Sequence, residues 1–144
     1  MTLEQTINQQ IANWNILYTK LHQFHWYVKG PHFFTLHAKF EELYDEAAAT
    51  IDELAEQLLT IDGKPISTLK EYLQYATLEE TSDMLTAEEM VQALINDYSL
   101  LISDLITGKE VAEQNNDEVT GDIFLELIGK LNKHNWMLKS FLQG

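Results

Sequence analysis

Apolar residues recur at steps of three and four along four stretches of this chain, the spacing that lines one face of an α-helix. The first stretch runs Ile7, Ile11, Trp14, Tyr18, Leu21 and Val28, and Thr2 with Gln5 forms a capping box ahead of it. Gly30 and Pro31 close it, since a proline cannot continue a helix. The second runs Leu36, Phe40, Leu43, Ala47, Ile51, Leu54 and Leu58, and stops at Asp62 and Gly63 with Pro65 beyond. The third opens at Thr86, with Glu89 three residues on; it carries Val91, Leu94, Tyr98, Leu101 and Leu105, and Gly108 lies near its predicted end. The fourth carries Phe124, Leu127, Leu131, Leu138 and Phe141. Stripes this wide each need a partner, so the simplest architecture is an all-α four-helix bundle.

The connections sharpen that picture. The link from Gly30 to Phe34 is short, and so is the one around Gln114 to Asp117, so the helices on either side of each are predicted to be antiparallel neighbours. The middle link, Gly63 to Leu85, is long and contains TLKEYLQYA, a short amphipathic piece predicted to be a helix of its own. Up-and-down bundles use short loops throughout, whereas ferritin-like bundles carry a long middle crossover.

Composition narrows the class. The 144 residues suit one domain, 1–144, and the low proline and glycine content (2 and 6) favours long helices. There is no apolar run of about 18 residues, so no membrane span is expected. The opening MTLEQTINQQ lacks a signal-peptide pattern, and a cytoplasmic location is the expectation, with which the absence of cysteine agrees. Net charge is −14, all basic residues are lysine, and the first of them is Lys20. That balance argues against a nucleic-acid binder, which needs cations for the phosphates. So many acids either solvate the surface or hold cations.

Candidate chemistry gathers on the first two helices. His25 sits on the first stripe between Leu21 and Val28; alone, such a histidine is ordinarily a hydrogen-bonded core residue. On the second helix, however, His37, Glu41 and Asp45 are spaced four apart, and Asp52 and Glu56 repeat that spacing further on, so all five share one side beside the apolar stripe. Carboxylates beside an apolar stripe cost desolvation energy unless a cation compensates them. Imidazole with carboxylate suits iron or zinc, and the lack of thiols disfavours a soft metal.

Helix arithmetic sharpens this further. The step from Glu41 to Asp52 rises about 16 Å, while metal–ligand bonds are about 2 Å. The two residues of one chain cannot share an ion. Either the helix carries two unrelated half-sites, or a second molecule completes them across a two-fold axis near Ala47, Ala48 and Ala49, whose small side chains allow close approach. The bland alternative is a helix with an ordinary acidic face.

FHWYVKGPHFFTLHAKFEELYDE followed by IDELAEQLLTIDGKP resembles the signature stretch of the Dps family of mini-ferritins, in its Gram-positive general-stress branch. The resemblance extends over nearly the whole chain, including the ending NKHNWMLKSFL. It implies that His25, His37 and Glu41 bind metal from one subunit and that Asp52 and Glu56 do so from its two-fold partner. Trp26 matches the tryptophan beside the iron site, where it donates an electron. Many members have aspartate where this chain has Glu41. The resemblance further implies a hollow dodecamer that oxidises ferrous iron at dinuclear sites, with hydrogen peroxide preferred to oxygen, and stores ferric mineral. Hydrogen bonds to His25 and His37 are expected to fix their tautomers.

Asp117, Asp122 and Glu126 resemble acids lining the family's iron-entry pores; read without it, they are acids favoured in the first turn of a helix. His22, His32 and His134 are expected to be structural or to support the site, and Asp45 matches no family ligand. Two departures matter. DNA-compacting members often carry a lysine-rich N-terminal tail, which is missing here, so direct DNA binding is doubtful. No glutamate stands three residues before a histidine, which argues against a conventional ferritin site inside one bundle. The competing readings are a DNA-compacting protein and a helical module that sequesters metal without redox turnover.

Overall fold

The computed structural model describes residues 1–82 and 84–143. Five helices and no strand occur among the described residues: α1 (Leu3–Tyr27), α2 (Phe33–Thr60), α3 (Leu69–Tyr75), α4 (Ala87–Gln114) and α5 (Glu118–Gln143). Two antiparallel hairpins, α1–α2 and α4–α5, join through contacts of α1 with α4, and α3 lies against α1. This is the four-helix bundle with a short extra helix in its crossover that the apolar pattern predicts.

Local signals start and stop the helices. Thr2 with Gln5 and Thr86 with Glu89 form complete capping boxes, each satisfying backbone N–H groups that the first helical turn leaves free. Thr68 caps α3 by accepting from Glu71 N. After α2 the chain turns through Asp62 in the left-handed region (φ 65°), and Gly63 N donates to Leu58 O at 2.9 Å. A Cβ on Gly63 would fall 2.3 Å from a Leu58 methyl, so only glycine fits.

α4 runs to Gln114, where the sequence places the following link, and Gly108 lies in its last third. A Cβ there would stand 2.9 Å from the Phe124 ring and 3.0 Å from the Thr6 methyl. The glycine lets α4 approach α1 and α5 closely.

The predicted stripes form the core. Ile7, Ile11, Trp14, Leu17, Leu21, Phe24, Phe40, Leu43, Leu54, Leu58, Leu94, Leu101, Leu105, Phe124 and Leu131 are almost wholly buried. Each such side chain contributes about 1.5–3 kcal/mol. Tyr18, Ile51 and Phe141 are only partly covered. Of the three alanines at the middle of α2, Ala47 belongs to this core, while Ala48 and Ala49 face outward.

Polar residues that no stripe reveals complete the interior. Asn8 donates to Lys64 O and accepts from Ile66 N, both at 3.0 Å. Asn13 accepts from Thr77 N at 2.7 Å and Leu78 N at 3.0 Å. Gln23 donates to Thr81 O at 2.8 Å. These amides of α1 fasten the crossover along the bundle and satisfy backbone groups that it would otherwise leave unpaired. Lys20, counted above only as a basic residue, is buried, with its Nζ 2.6 Å from Asp97 Oδ2. Burial pushes the Asp97 carboxyl up, and the Lys20 hydrogen bond and charge pull it back only in part.

Candidate metal centre

The turn between α1 and α2 folds the end of one helix onto the start of the next. Gly30 makes this possible with φ +108°, and Pro31 follows it. The fold-back brings His25 against His37. Their rings stack with centroids 3.7 Å apart and planes 14° apart.

Their hydrogen bonds are reciprocal. His25 Nδ1 lies 2.7 Å from His37 O, and His37 Nδ1 lies 2.7 Å from His25 O. A carbonyl oxygen only accepts, so each Nδ1 carries the proton and donates it. In the neutral ring, each Nε2 then keeps its lone pair. The hydrogen bonds expected to fix these tautomers are therefore present, and each histidine's backbone supplies the one for the other. The pair is held on one side and open to a Lewis acid on the other.

Glu41 lies one turn beyond His37 on α2, with Oε1 3.8 Å from His25 Nε2. Two ligands that each sit about 2 Å from one ion are at most about 4 Å apart, so this spacing fits a shared ion. His25 is 7% exposed, whereas Glu41 faces solvent. The imidazole is thus fixed and the carboxylate free to adjust.

Asp52 and Glu56 lie further along α2, both exposed. The neighbouring Asp52 side chain and its charge hold the Glu56 carboxyl above its usual range. Two carboxylates one turn apart on a helix offer hard oxygen ligands to a cation. Yet among the described residues no three His, Asp or Glu side chains come close enough to hold one ion. His25, His37 and Glu41 form one partial set in the chain, and Asp52 with Glu56 forms another.

An aromatic group surrounds the first set. Tyr44 meets His25 edge-on at 5.4 Å and stacks on His22 at 3.9 Å. His22 in turn lies 5.4 Å from Trp26 and 4.5 Å from Tyr18, and its Nδ1 donates to Tyr18 O at 3.0 Å. Partial burial, then the charges of Glu41, Asp45 and Tyr18, hold the Tyr44 phenol above its ordinary value. Trp26 is 67% exposed in the single chain. Asp45 is exposed on the same side of α2. The place of Tyr44 against His25 and His22 was hidden in sequence; its spacing of three from Glu41 was the available signal.

The remaining candidates fall elsewhere. Asp117 accepts from Thr120 N at 3.0 Å and Thr120 Oγ1 at 2.6 Å, which makes it the N-cap of α5. Asp122 and Glu126 are exposed one turn apart on α5, with Lys130 3.5 Å from Glu126. His32 rests edge-on against Phe141 at 5.1 Å. His134 Nε2 lies 3.0 Å from both oxygens of Glu46, a contact across the α2–α5 seam that the sequence reading did not find. Burial alone would raise the Glu46 carboxyl, but the His134 hydrogen bond and charge, with Lys130 and Lys39, bring it below its usual value.

A bundle of this form, with carboxylates and histidines at its face and a long crossover, defines a ferritin-like protein. The family model for the ferritin-like domain matches residues 4–144. The chain is 51% identical over 138 residues to the DNA protection during starvation protein 2 of Bacillus anthracis, covering 96% of this chain and 94% of the relative. It is 51% identical over 140 residues to general stress protein 20U of Bacillus subtilis, covering 97% of each. The crystal structure of Dps from Staphylococcus aureus superposes with a TM-score of 0.95 at 46% identity, over 97% of this chain and 94% of that one. The chain belongs to the Dps branch of the ferritin-like family.

Proposed function

We propose that this protein is a ferroxidase and iron store whose catalytic sites are completed between two subunits. The observation that carries the reading is the reciprocal lock of His25 and His37. It fixes two imidazoles with their Nε2 lone pairs free beside Glu41, in a chain whose Asp52 and Glu56 lie about three helical turns or more away. An isologous dimer would lay two α2 helices antiparallel and bring the partner subunit's Asp52 and Glu56 to this pair, generating two equivalent sites. Two separate donor nitrogens suit two ferrous ions per site.

Iron is the substrate. Two ferrous ions give one electron each to hydrogen peroxide, which takes up two protons and leaves as two waters. Oxygen is the slower alternative oxidant. His25 and His37 hold the ions through Nε2, and the carboxylates of Glu41, Asp52 and Glu56 balance the growing positive charge. Trp26, beside the site, is an electron reserve. Asp122 and Glu126, with Asp117 at the helix start, form an acidic entry path that concentrates cations. The ferric product collects as mineral inside a hollow dodecamer in the cytoplasm, which keeps single-electron peroxide chemistry away from DNA and other targets.

Direct DNA compaction is not part of this reading, because the chain carries a net charge of −14. The experiment mixes the assembled protein with ferrous iron and peroxide and follows ferric absorbance. His37→Ala combined with Asp52→Ala is expected to slow oxidation at least about 100-fold, equivalent to about 2.7 kcal/mol. A parent protein and variant that both oxidise iron no faster than buffer would leave only non-redox sequestration, and equally fast oxidation by both would remove His37 and Asp52 from the site.

A further inference from the structure

The outer face of α2 is matched end to end. Phe34, Glu41, Asp52 and Leu59 lie on one line along the helix to within about 20°. Glu41 and Asp52 stand equally far from a point between Glu46 and Ala47, and so do His37 and Glu56. Phe34 and Leu59 stand equally far from that same point, about 19 Å along the helix on either side. A two-fold axis there sets each Phe34 opposite the partner subunit's Leu59, in the register that sets each Glu41 opposite the partner subunit's Asp52.

Neither apolar side chain has cover within the chain: Phe34 is 85% exposed and Leu59 58%. Phe33, by contrast, is partly covered and rests on His37 at 4.9 Å. Side-chain size also follows position along the line. Two helices that pack at an angle come closest where they cross and diverge toward their ends. The small, exposed Ala48 and Ala49 lie next to the crossing point, and the large Phe34 and Leu59 lie at the ends.

We infer that Phe34 and the partner subunit's Leu59 form an apolar clasp at each end of an α2–α2 pair, and that this clasp sets the register in which the two half-sites meet. The inference rests on the shared-site reading above and names what aligns the two subunits. Charge does not align them, because the face between the clasps carries Glu41, Asp45, Asp52 and Glu56. Before metal arrives, these like charges push the two helices apart. An apolar contact needs no metal. A slip of one helical turn would part Phe34 from Leu59 and Glu41 from Asp52 together. Phe34 is therefore a positioning residue for the site, about two turns from the nearest ligand on its line.

The chain has no cysteine, so introduced thiols report the register directly. Assembled protein carrying Phe34→Cys with Leu59→Cys is treated with a short bis-maleimide. The two positions are about 37 Å apart within one helix, so only a link between chains can form. A clasp between two-fold partners closes on itself and should give covalent dimers and nothing larger, whereas head-to-tail contacts would give a ladder of products. Phe34→Cys with Glu53→Cys, exposed but off the shared line, should give none. Phe34→Ala should weaken the pairing of metal-free subunits at least about tenfold, and exchanging the two side chains, Phe34→Leu with Leu59→Phe, should restore most of it. Zinc binding, followed by titration calorimetry, should weaken in the first variant and recover in the second, although neither position touches an ion. A ladder, no covalent dimer, equal linking of both thiol pairs, or pairing unchanged by Phe34→Ala overturns the clasp. Any of these, in a protein whose Asp52→Ala and His37→Ala subunits recover activity when mixed, leaves the shared site standing. A parent protein that oxidises no iron would instead overturn the ferroxidase reading, whatever the cross-links show.

Discussion

Two histidine sites in this bundle use the same residue types to opposite ends. At the α2–α5 seam, His134 turns Nε2 onto both oxygens of Glu46 within the chain, while its buried Nδ1 has no hydrogen-bond partner among the described residues. At the α1–α2 turn, His25 and His37 spend Nδ1 on each other's carbonyls and leave Nε2 open. One arrangement closes its charge and stabilises the bundle. The other fixes geometry and leaves its charge requirement unmet. The nitrogen that is satisfied within the chain therefore separates a structural histidine from a candidate ligand, which neither residue type nor burial does.

The comparison breaks most severely where an interior pair loses a partner. Lys20→Met leaves the Asp97 carboxylate buried without its cation and should cost about 3–5 kcal/mol in denaturant unfolding, most of it recovered when Asp97→Leu is added. A neutral outcome for the single variant would mean that Asp97 reaches solvent. Next comes a test of the open site. Subunits carrying Asp52→Ala alone, or His37→Ala alone, are expected to be at least about 100-fold slower. Each dimer that pairs the two variants should recover about half the parent activity, because one of its two centres then has all its ligands. No recovery would mean that the two half-sites on α2 do not meet across subunits.

The smallest effect is the pH response of the closed pair. The folded Glu46 carboxyl lies below its ordinary value, so its stabilisation is present above the unfolded value of about 4.3 and is lost as pH falls through the folded one. Glu46→Gln should therefore lower stability by about 1 kcal/mol at neutral pH, after allowance for solvent screening, and by progressively less below pH 4.5. A difference from the parent that does not shrink with acid would show that packing, rather than charge, holds the seam.

The fold was legible because its signals are local. Stripes at helical spacing, two capping boxes and the Asp62–Gly63 stop each act within a few residues. What Gly108 does was not legible, because the close approach it permits depends on Phe124 and Thr6, which other helices supply. The spacing of His37, Glu41, Asp52 and Glu56 was readable because one straight helix carries all four. The Lys20–Asp97 pair, the Glu46–His134 pair and the amides of Asn8, Asn13 and Gln23 were not. Each joins positions far apart in sequence, with no periodicity to announce the contact. The reciprocal histidine lock lay between these extremes: both residues could be named in advance, but the turn at Gly30 that stacks them is a property of the folded chain.

The most direct measurement is a crystal structure of the assembled protein soaked with zinc, a redox-inert stand-in for ferrous iron. The account predicts ions held by Nε2 of His25 and His37 and by Glu41 of one subunit, together with the partner subunit's Asp52 and Glu56, and none at Glu46 and His134. Ions bound wholly within one bundle, or at the Glu46–His134 pair with the α1–α2 turn empty, would contradict it.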